Sequence, residues 1–223
     1  MIKIVYFFKR KPGISVEDFQ AHWRTTHAEL IAALPGIRRY VQNHTLPSAY
    51  RKGEPAFDGV AESWFEDTQV LKALASSPQY AAVLADEPRF IDRASMGSII
   101  TEEHVLKDGP VPQGGIKTVD LVTRKPPMSI DAFFKYWLEA HGPLVAASSV
   151  VRRYVQSHTR RAIYETGRTP AYDGAAMLWF DDMQSLRTAA ATPEFERMRT
   201  DVASFVAREK SPSVIAAEHV VLG

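Results

Sequence analysis

The 223-residue sequence contains no cysteine, which excludes disulfide bonds, thiolate metal sites and cysteine nucleophiles together. A formal net charge of +1 gives no electrostatic reason to expect a nucleic acid or an anionic membrane as partner. The apolar opening over residues 1–11 is about half as long as a membrane span, and it lacks the small-residue cleavage site of a signal peptide. We therefore expect a cytoplasmic protein with neither a membrane nor a nucleic-acid partner.

Cofactor signatures are also missing from the sequence. It has no glycine-rich phosphate loop and no dinucleotide-binding fingerprint. Its histidines lack the short spacing to each other and to carboxylates that marks a strong metal site. We therefore expect neither a metal nor a cofactor. The 45% hydrophobic and 24% charged residues are typical of a folded globular protein and not of a disordered one.

Histidines and tryptophans recur along the chain at one spacing. The segments RRYVQNHT and RRYVQSHT repeat with the same shift. Such repetition predicts two copies of one domain, residues 1–107 and 115–223, joined by a linker at 108–114 that contains glycine and proline. The recurring pairs, each 114 or 115 residues apart, are His27/His141, His44/His158, His104/His219, Trp23/Trp137 and Trp64/Trp179.

The order of predicted elements in each copy is β-α-β-β-α-β, the ferredoxin-like motif. Apolar runs predict the strands. Ser15, three residues before Asp18, predicts the start of the first helix. We predict breaks in the second helix near Pro78 and Pro88. The first copy is predicted as strand 2–8, helix 15–34, strands 37–46 and 60–65, helix 68–92 and strand 97–106; the second as 115–123, 129–147, 151–159, 175–180, 182–208 and 213–222.

Each copy would form an antiparallel sheet with helices on one face only. The other face must be covered, because an exposed apolar sheet face promotes aggregation. The second copy can cover it. The fold class we predict is α+β: two tandem ferredoxin-like repeats that form an α+β barrel within one chain. The remaining partner we consider is a second copy of the chain, in a homodimer.

Short motifs occur at matching positions of the two copies: residues 11–19, Trp23, His27, 35–40 and 58–65 in the first copy, and Lys125, Ser129, Phe133, Trp137, His141, Tyr154 and 173–180 in the second. These motifs resemble the EthD family of the dimeric α+β barrel superfamily. The second copy departs from it at Ser149-Val150, where the first has Pro35-Gly36. Relatives implied by this resemblance include methylmuconolactone methylisomerase, polyketide cyclases, small monooxygenases and haem proteins, so the motifs specify the fold more than the reaction.

His27 and His141 are the candidate acid/base residues. The resemblance implies a working histidine late in the first helix, and both residues match that position. His27 lies one turn after Trp23, on the helix face predicted to meet the sheet. A neutral imidazole can exchange protons at cellular pH. The alternative is a core histidine whose ring nitrogens are hydrogen-bonded to the backbone.

Aromatic and polar side chains along the predicted strands are candidates to line a binding pocket. Strand alternation places Tyr40, Gln42 and His44 on one face. They could equally form hydrogen bonds where the sheets meet, and the tryptophans could belong to the core. Asp58 and Asp173 are expected to cap turns. The candidate substrate-binding residues are Tyr6, Trp23, Tyr40, His44, Trp64, Trp137, Tyr154, His158, Met177 and Trp179.

The two copies differ at two positions that could carry chemistry. Tyr6 corresponds to Asp120, and Glu62 corresponds to Met177. Since the first and third strands of this motif are neighbours, we expect each carboxylate to lie near its partner position. A carboxylate within an apolar strand is costly unless it is paired, and burial raises its pKa. The alternative is a hydrated position paired with arginine or lysine.

Together these features favour a cofactor-independent acid/base enzyme of isomerase, lyase or cyclase type. Its partner would be a small apolar aromatic, polyketide-like or lactone compound, processed in catabolism. His141, Asp120, His27 and Glu62 would be the catalytic residues. The first alternative is a non-catalytic carrier of the same kind of compound. The second is a haem-dependent barrel with a histidine as axial ligand.

Overall fold

The first repeat has the predicted order of helices and strands. The computed structural model describes residues 1–223 except for the side chain of Lys52. A short 3₁₀ helix, Pro47–Lys52, follows the second strand. The elements are β1 (Ile2–Arg10), α1 (Val16–His22), a π-helical turn (Trp23–His27), α2 (Ala28–Ala32), β2 (Ile37–Thr45), β3 (Gly59–Phe65), α3 (Thr68–Leu74), α4 (Pro78–Phe90) and β4 (Ile91–Lys107).

The second repeat follows the same order, with one short helix added after its second strand. Its 3₁₀ turn, Arg208–Lys210, precedes the last strand. The elements are β5 (Ile116–Val122), α5 (Ile130–Tyr136), a π-helical turn (Trp137–His141), α6 (Gly142–Ala146), β6 (Arg153–Thr159), α7 (Arg161–Glu165), β7 (Gly174–Phe180), α8 (Met183–Ala190), α9 (Pro193–Phe205) and β8 (Ser213–Leu222).

Local signals set the helix ends. The Ser15 and Ser129 hydroxyls accept hydrogen bonds from the backbone N–H groups of Asp18 and Ala132, which confirms the predicted first-helix caps. The predicted break near Pro88 is wrong, because α4 continues to Phe90. Pro88 lies in the last turn of α4, where the helix is about to end and few hydrogen bonds remain to be lost. Among the described residues, no helix is long and apolar enough to cross a membrane.

The strands form one antiparallel barrel within the single chain, as predicted. Hydrogen-bonded neighbours follow the order β1-β3-β2-β8-β5-β7-β6-β4, and the order closes on itself. Two compact units divide the chain: unit 1 comprises Met1–Glu102 and Glu218–Gly223, and unit 2 comprises Glu103–Ala217. The boundaries predicted at 107 and 115 refer to the duplication and remain a prediction, since the compact units divide the chain elsewhere.

Strand register decides which side chains face the helices of each unit. In unit 1, Tyr6 of β1 lies opposite Ala61 of β3, and Val5 lies opposite Glu62. Tyr6 and Ala61 pack with the helix residues, so they lie on the helix-facing side of the sheet. Because side chains alternate along a strand, Val5 and Glu62 point to the opposite side. This opposite side is buried too, with Val5 and Glu62 at most 1% exposed.

A tryptophan from the π-helical turn anchors each helix to its sheet. The Trp23 ring is completely buried, with its centroid 5.0 Å from Phe8 and 4.3 Å from His44. Its edge lies against Gly59, where an added Cβ would be 2.5 Å from Cζ3. Trp137 meets Gly174 in the same way in unit 2. Both repeats have glycine after the aspartate, in Asp58-Gly59 and Asp173-Gly174, because a side chain at that position would displace the indole.

Replacing Trp23 with alanine should strongly destabilise the protein. Emptying a buried site of this size costs about 3–5 kcal/mol, from lost apolar burial and the cavity that remains. Urea unfolding followed by circular dichroism measures the change in the free energy of unfolding. Val105→Ala is the control, because Val105 is 48% exposed. A loss below about 1 kcal/mol for Trp23→Ala would contradict the anchoring role of the indole.

Candidate active site

Unit 2 contains a cavity of about 310 Å³ between its sheet and its helices. Most of its lining is apolar, and it comes from β5, β6 and β7 on one side and the π-helical turn, α6, α8 and α9 on the other. His141 and Asp120 both line this cavity. The other lining residues are Thr118, Leu121, Val122, Trp137, Val145, Tyr154, Ala176, Leu178, Phe180, Leu186, Phe195, Met198, Arg199, Val202, Phe205, Val206, Arg208 and Ser211.

His141 is oriented by a carboxylate from the last helix of the unit. Its Nδ1 lies 2.7 Å from Oδ2 of Asp201, and the Tyr136 hydroxyl donates to the other Asp201 oxygen at 2.5 Å. An Nδ1–H that donates to Asp201 leaves the lone pair of the neutral ring on Nε2. Nε2 has no hydrogen-bond partner among the described residues. The imidazole is therefore held with one nitrogen available to a molecule in the cavity.

Burial keeps the His141 ring neutral. Removal from water lowers the pKa of His141 below its usual value, and the hydrogen bond and charge of Asp201 offset part of that effect. The Phe205 ring packs beside the imidazole, with centroids 5.0 Å apart. A neutral histidine with an aligned carboxylate can accept a proton and keep it as a stabilised imidazolium. This geometry suits a general base.

Asp120 is the carboxylate on the sheet side of the cavity. It lies opposite Ala176 on the helix-facing side of β5. Burial raises its pKa, and hydrogen bonds from Ser213 and from the Thr118 hydroxyl, at 3.4 Å, offset part of the rise. A carboxyl group with a raised pKa can hold a proton and donate it. One wall of the cavity therefore carries an imidazole and the other a carboxyl group, and burial favours the neutral form of both.

The corresponding space in unit 1 is nearly filled. Its cavity measures about 70 Å³. Three larger or more polar side chains occupy it, namely Tyr6, Tyr80 and Glu87, at the positions of Asp120, Phe195 and Val202 in unit 2. Burial raises the pKa of Tyr6 well above its usual range, so that its phenol stays neutral. Unit 1 therefore offers little room for a ligand beside His27.

His27 repeats the geometry of His141 within this smaller space. Its Nδ1 lies 3.0 Å from Oδ2 of Asp86, which corresponds to Asp201. The same carboxylate accepts from Nε2 of His22 at 2.9 Å, where unit 2 has Tyr136. Burial is the main cause that lowers the pKa of His27. Both predicted acid/base histidines are thus carboxylate-oriented, but only His141 faces a cavity of useful size among those described.

Asp86 and Asp201 are absent from the set predicted from sequence, although a signal for them exists. They recur 115 residues apart, and each lies four residues before a repeated phenylalanine, Phe90 or Phe205. Recurrence alone places them on corresponding helices. Which residue they touch depends on how α4 and α9 pack against the π-helical turns, and that packing has no local sequence signature.

The register corrects the predicted neighbourhood of Glu62 and Met177. Glu62 pairs with Val5 rather than Tyr6, and Met177 pairs with Val119 rather than Asp120. Both side chains therefore point away from the helices, outside the two cavities. The first and third strands are neighbours as expected, but the divergent positions lie on opposite faces, because a shift of one residue along a strand reverses the side.

On that opposite face Glu62 belongs to a buried ion pair. The Lys3 ammonium lies 2.6 Å from its carboxylate, and the Asn43 side-chain amide donates to it at 2.8 Å. The Lys3 ammonium also lies 4.8 Å from the centroid of the Trp64 ring. Lys117 and Trp179 form the matching contact in unit 2, at 4.3 Å. Neither Trp64 nor Trp179 lines either of the two cavities between sheet and helices, contrary to expectation.

Tyr40, Gln42 and His44 share the helix-facing side of β2, as the alternation predicts. The Trp23 indole donates to the Tyr40 hydroxyl at 2.9 Å, and the Gln42 amide donates to the Trp23 carbonyl at 2.7 Å. Tyr40 and its counterpart Tyr154 line the cavities. The histidines at the ends of these strands do not, because each stacks on the far side of its tryptophan.

His44 and His158 are buried in these stacks and resist protonation. Nε2 of His44 lies 2.9 Å from the Gln42 side-chain oxygen, and its buried Nδ1 has no partner. A proton on Nδ1 would form an unsatisfied buried donor. Burial therefore lowers the pKa of His44 to about 2 and that of His158 to about 3.

These two histidines should make the protein less stable in acid. In the unfolded chain each histidine binds a proton with a pKa of about 6.5, whereas in the folded chain it stays neutral. The free energy of unfolding therefore decreases as the pH falls below about 6.5. We expect His44→Gln to reduce the slope of unfolding free energy between pH 6.5 and 5 by about 1 kcal/mol per pH unit, and His158→Gln to do the same. Urea titrations at several pH values give the slopes. Slopes equal to that of the wild type would refute the buried neutral state.

Solved structures similar to this chain share its fold at low sequence identity. An anthrone oxidase-like protein has a TM-score of 0.66 at 12% identity, covering 99% of this chain and 92% of its own. A protein proposed as a monooxygenase from Lactobacillus acidophilus NCFM has a TM-score of 0.57 at 10% identity, with coverages of 98% and 94%. A chlorite dismutase variant from Candidatus Nitrospira defluvii has a TM-score of 0.50 at 8% identity, with coverages of 97% and 91%.

Sequence comparison identifies the family directly. No curated protein sequence matches this chain. A family model, described as the EthD domain, matches twice, over residues 11–94 and 125–209. The two matches span most of the chain and coincide with the duplication. The chain therefore belongs to the EthD family, with two EthD domains in tandem.

Proposed function

We propose that unit 2 is a cofactor-independent acid/base site for a small, largely apolar ring compound. The reaction would be an isomerisation, elimination, cyclisation or decarboxylation that begins with proton transfer. One observation carries this proposal: His141 and Asp120 face a single apolar cavity from opposite walls. Burial favours the neutral form of each group. The two groups are therefore complementary, because a neutral imidazole can accept a proton and a neutral carboxyl group can donate one.

The roles follow from the contacts of each side chain. Nε2 of His141 would remove a proton from carbon next to a carbonyl, and Asp201 would stabilise the imidazolium that forms. The neutral carboxyl of Asp120 would donate a hydrogen bond, or its proton, to the oxygen on which negative charge develops. The apolar wall strengthens both interactions by excluding water. Asp201, rather than Asp120 or Glu62, would orient the imidazole.

Cavity size limits the ligand. About 310 Å³ lies at the lower end of the range for sites that hold drug-sized molecules, which favours a compound of one or two rings. A haem is larger than most such ligands, so the haem-dependent alternative does not fit this cavity, although an Asp-oriented histidine is chemically suited to axial ligation. The carrier alternative stays open, because a cavity of this kind can also hold a ligand without converting it.

Substitutions in the two units should affect turnover unequally. We expect His141→Ala and Asp120→Asn each to slow proton transfer about 10²-fold or more, the scale for loss of an acid or base group. His27→Ala should have much less effect, because its cavity is nearly filled. Deuterium uptake from D₂O by a panel of small cyclic ketones and lactones, followed by NMR, reports the reaction.

Three outcomes of that experiment separate the alternatives. Equal losses from His141→Ala and His27→Ala would mean that both units work. Binding of a ring compound without any deuterium uptake would favour a carrier over an enzyme. Uptake that survives His141→Ala unchanged would refute the role of His141.

Asp201 should act on the protonation of His141 without contacting the ligand. Asp201→Asn removes the charge that favours the imidazolium, so the pKa of His141 should fall further. NMR titration of the His141 ring protons measures that shift, and a parallel fall in activity is expected. Asp181→Asn is the control, because Asp181 is exposed and pairs with Arg152. An unchanged His141 titration in Asp201→Asn would rule out this coupling.

A further inference from the structure

The two units treat one repeated arginine differently. In unit 1 the Arg93 guanidinium pairs with the Glu87 carboxylate at 3.5 Å. Glu87 is itself buried and lines the small cavity, so unit 1 supplies the anion for its arginine from its own chain. The repeat shift of 115 residues places Arg208 and Val202 at the corresponding positions of unit 2. Unit 2 therefore has the arginine, Arg208, but has Val202 in place of the glutamate.

Arg208 lines the open cavity of unit 2 and has no acidic partner within the described part of the chain. Its one hydrogen bond among the described residues is donated to the backbone carbonyl of Arg199. Arg199 also lines the cavity, and its guanidinium pairs with the exposed Glu196. Val202, at the position of Glu87, presents only methyl groups. The Arg208 side chain therefore borders an apolar space in which unit 2 has valine at the position of the unit 1 glutamate.

The side chains that fill unit 1 indicate what would fit unit 2. Beside His27 the space is occupied by the Tyr6 phenol ring, with the Glu87 carboxylate and the Tyr80 ring close by. In unit 2 the first of these is Asp120 and the second is Val202, and the volume rises from about 70 to about 310 Å³. A ligand that restored the packing and charge balance of unit 1 would combine an aromatic ring with a carboxylate.

We propose that the cavity of unit 2 binds an aromatic carboxylate, with its ring beside Asp120 and His141 and its carboxylate on Arg208. This inference rests on the proposed function only in taking that cavity as the substrate site, and it narrows the substrate to an acid. Arg208 is exposed, so its contribution is that of a partly screened charge and falls with salt. The carboxylate would lie at the mouth of the cavity, away from the neutral carboxyl of Asp120.

The test compares 1-naphthylacetate with its neutral amide, which has nearly the same shape. Isothermal titration calorimetry gives both dissociation constants at low salt. We expect the full-length protein to prefer the acid about fivefold or more, and the preference should decline in 0.5 M NaCl. Arg208→Gln should reduce the preference to about one. Arg197→Gln, on the preceding helix α9 and outside the cavity lining, should leave it unchanged.

A second pair of variants tests the comparison with unit 1. Val202→Glu recreates the Glu87–Arg93 pair and should abolish the preference for the acid. Val202→Gln fills the same volume without a charge, so it should weaken both ligands alike and keep the preference. These two variants separate lost space from a neutralised arginine.

The outcomes distinguish this inference from the function on which it rests. Equal affinity of the wild type for acid and amide would overturn the carboxylate site while leaving the apolar cavity as a binding site. A preference that survives Arg208→Gln would overturn the role of Arg208. Failure of both compounds to bind would count against the cavity as a ligand site and so against the proposed function as well.

Discussion

Burial of both faces of each sheet is the constraint on which the rest of the structure depends. When both faces of a strand are buried, every side chain along it must pack on one face or the other. Strand alternation therefore fixes whether a residue meets the helices or the core on the opposite face. Tyr6 and Asp120 fall on the helix side and border a cavity, whereas Glu62 falls on the other and must be paired. Its ion pair with Lys3, at 2.6 Å, and the amide of Asn43 satisfy the charge. One step of register thus separates a residue that faces a cavity from one that belongs to a buried ion pair.

The π-helical turns position the histidines of the two cavities relative to the sheet. Each turn widens the helix so that its first residue, tryptophan, and its last residue, histidine, are both buried. Trp23 can lie flat on the sheet only because Gly59 has no side chain. With the indole fixed, His27 reaches Asp86 on α4. The same sequence of contacts in unit 2 leads from Gly174 through Trp137 to His141 and Asp201, so a glycine on a strand helps to aim an imidazole carried by a helix.

Much of the fold could be predicted from the sequence because the same pattern of elements occurs in both repeats. Every recurrent apolar run became a strand, and the ferredoxin-like order, the tandem EthD domains and the single-chain barrel are confirmed. The site was harder to predict. His27 and His141 carry a motif signal, but the contact of each with its aspartate depends on the packing of helices far apart in sequence. The register that excludes Glu62 is set by pairing across strands, and the volume beside Asp120 is a sum over many side chains. Neither has a local pattern.

The difference between the units has one physical origin. A duplicated domain that fills its own cavity is stabilised by that filling, since Tyr6 and Tyr80 bury aromatic surface against the His27 helix. The other copy gives up the Tyr6 ring and the Glu87 side chain by carrying Asp120 and Val202, and it leaves a buried carboxyl beside empty space. Such a cavity costs stability that folding alone does not recover. Binding a molecule of matching shape would restore the lost contacts, and it would do so only in unit 2. Unit 1 can therefore supply stability while unit 2 keeps the open, less stable arrangement that the proposed acid/base chemistry would need.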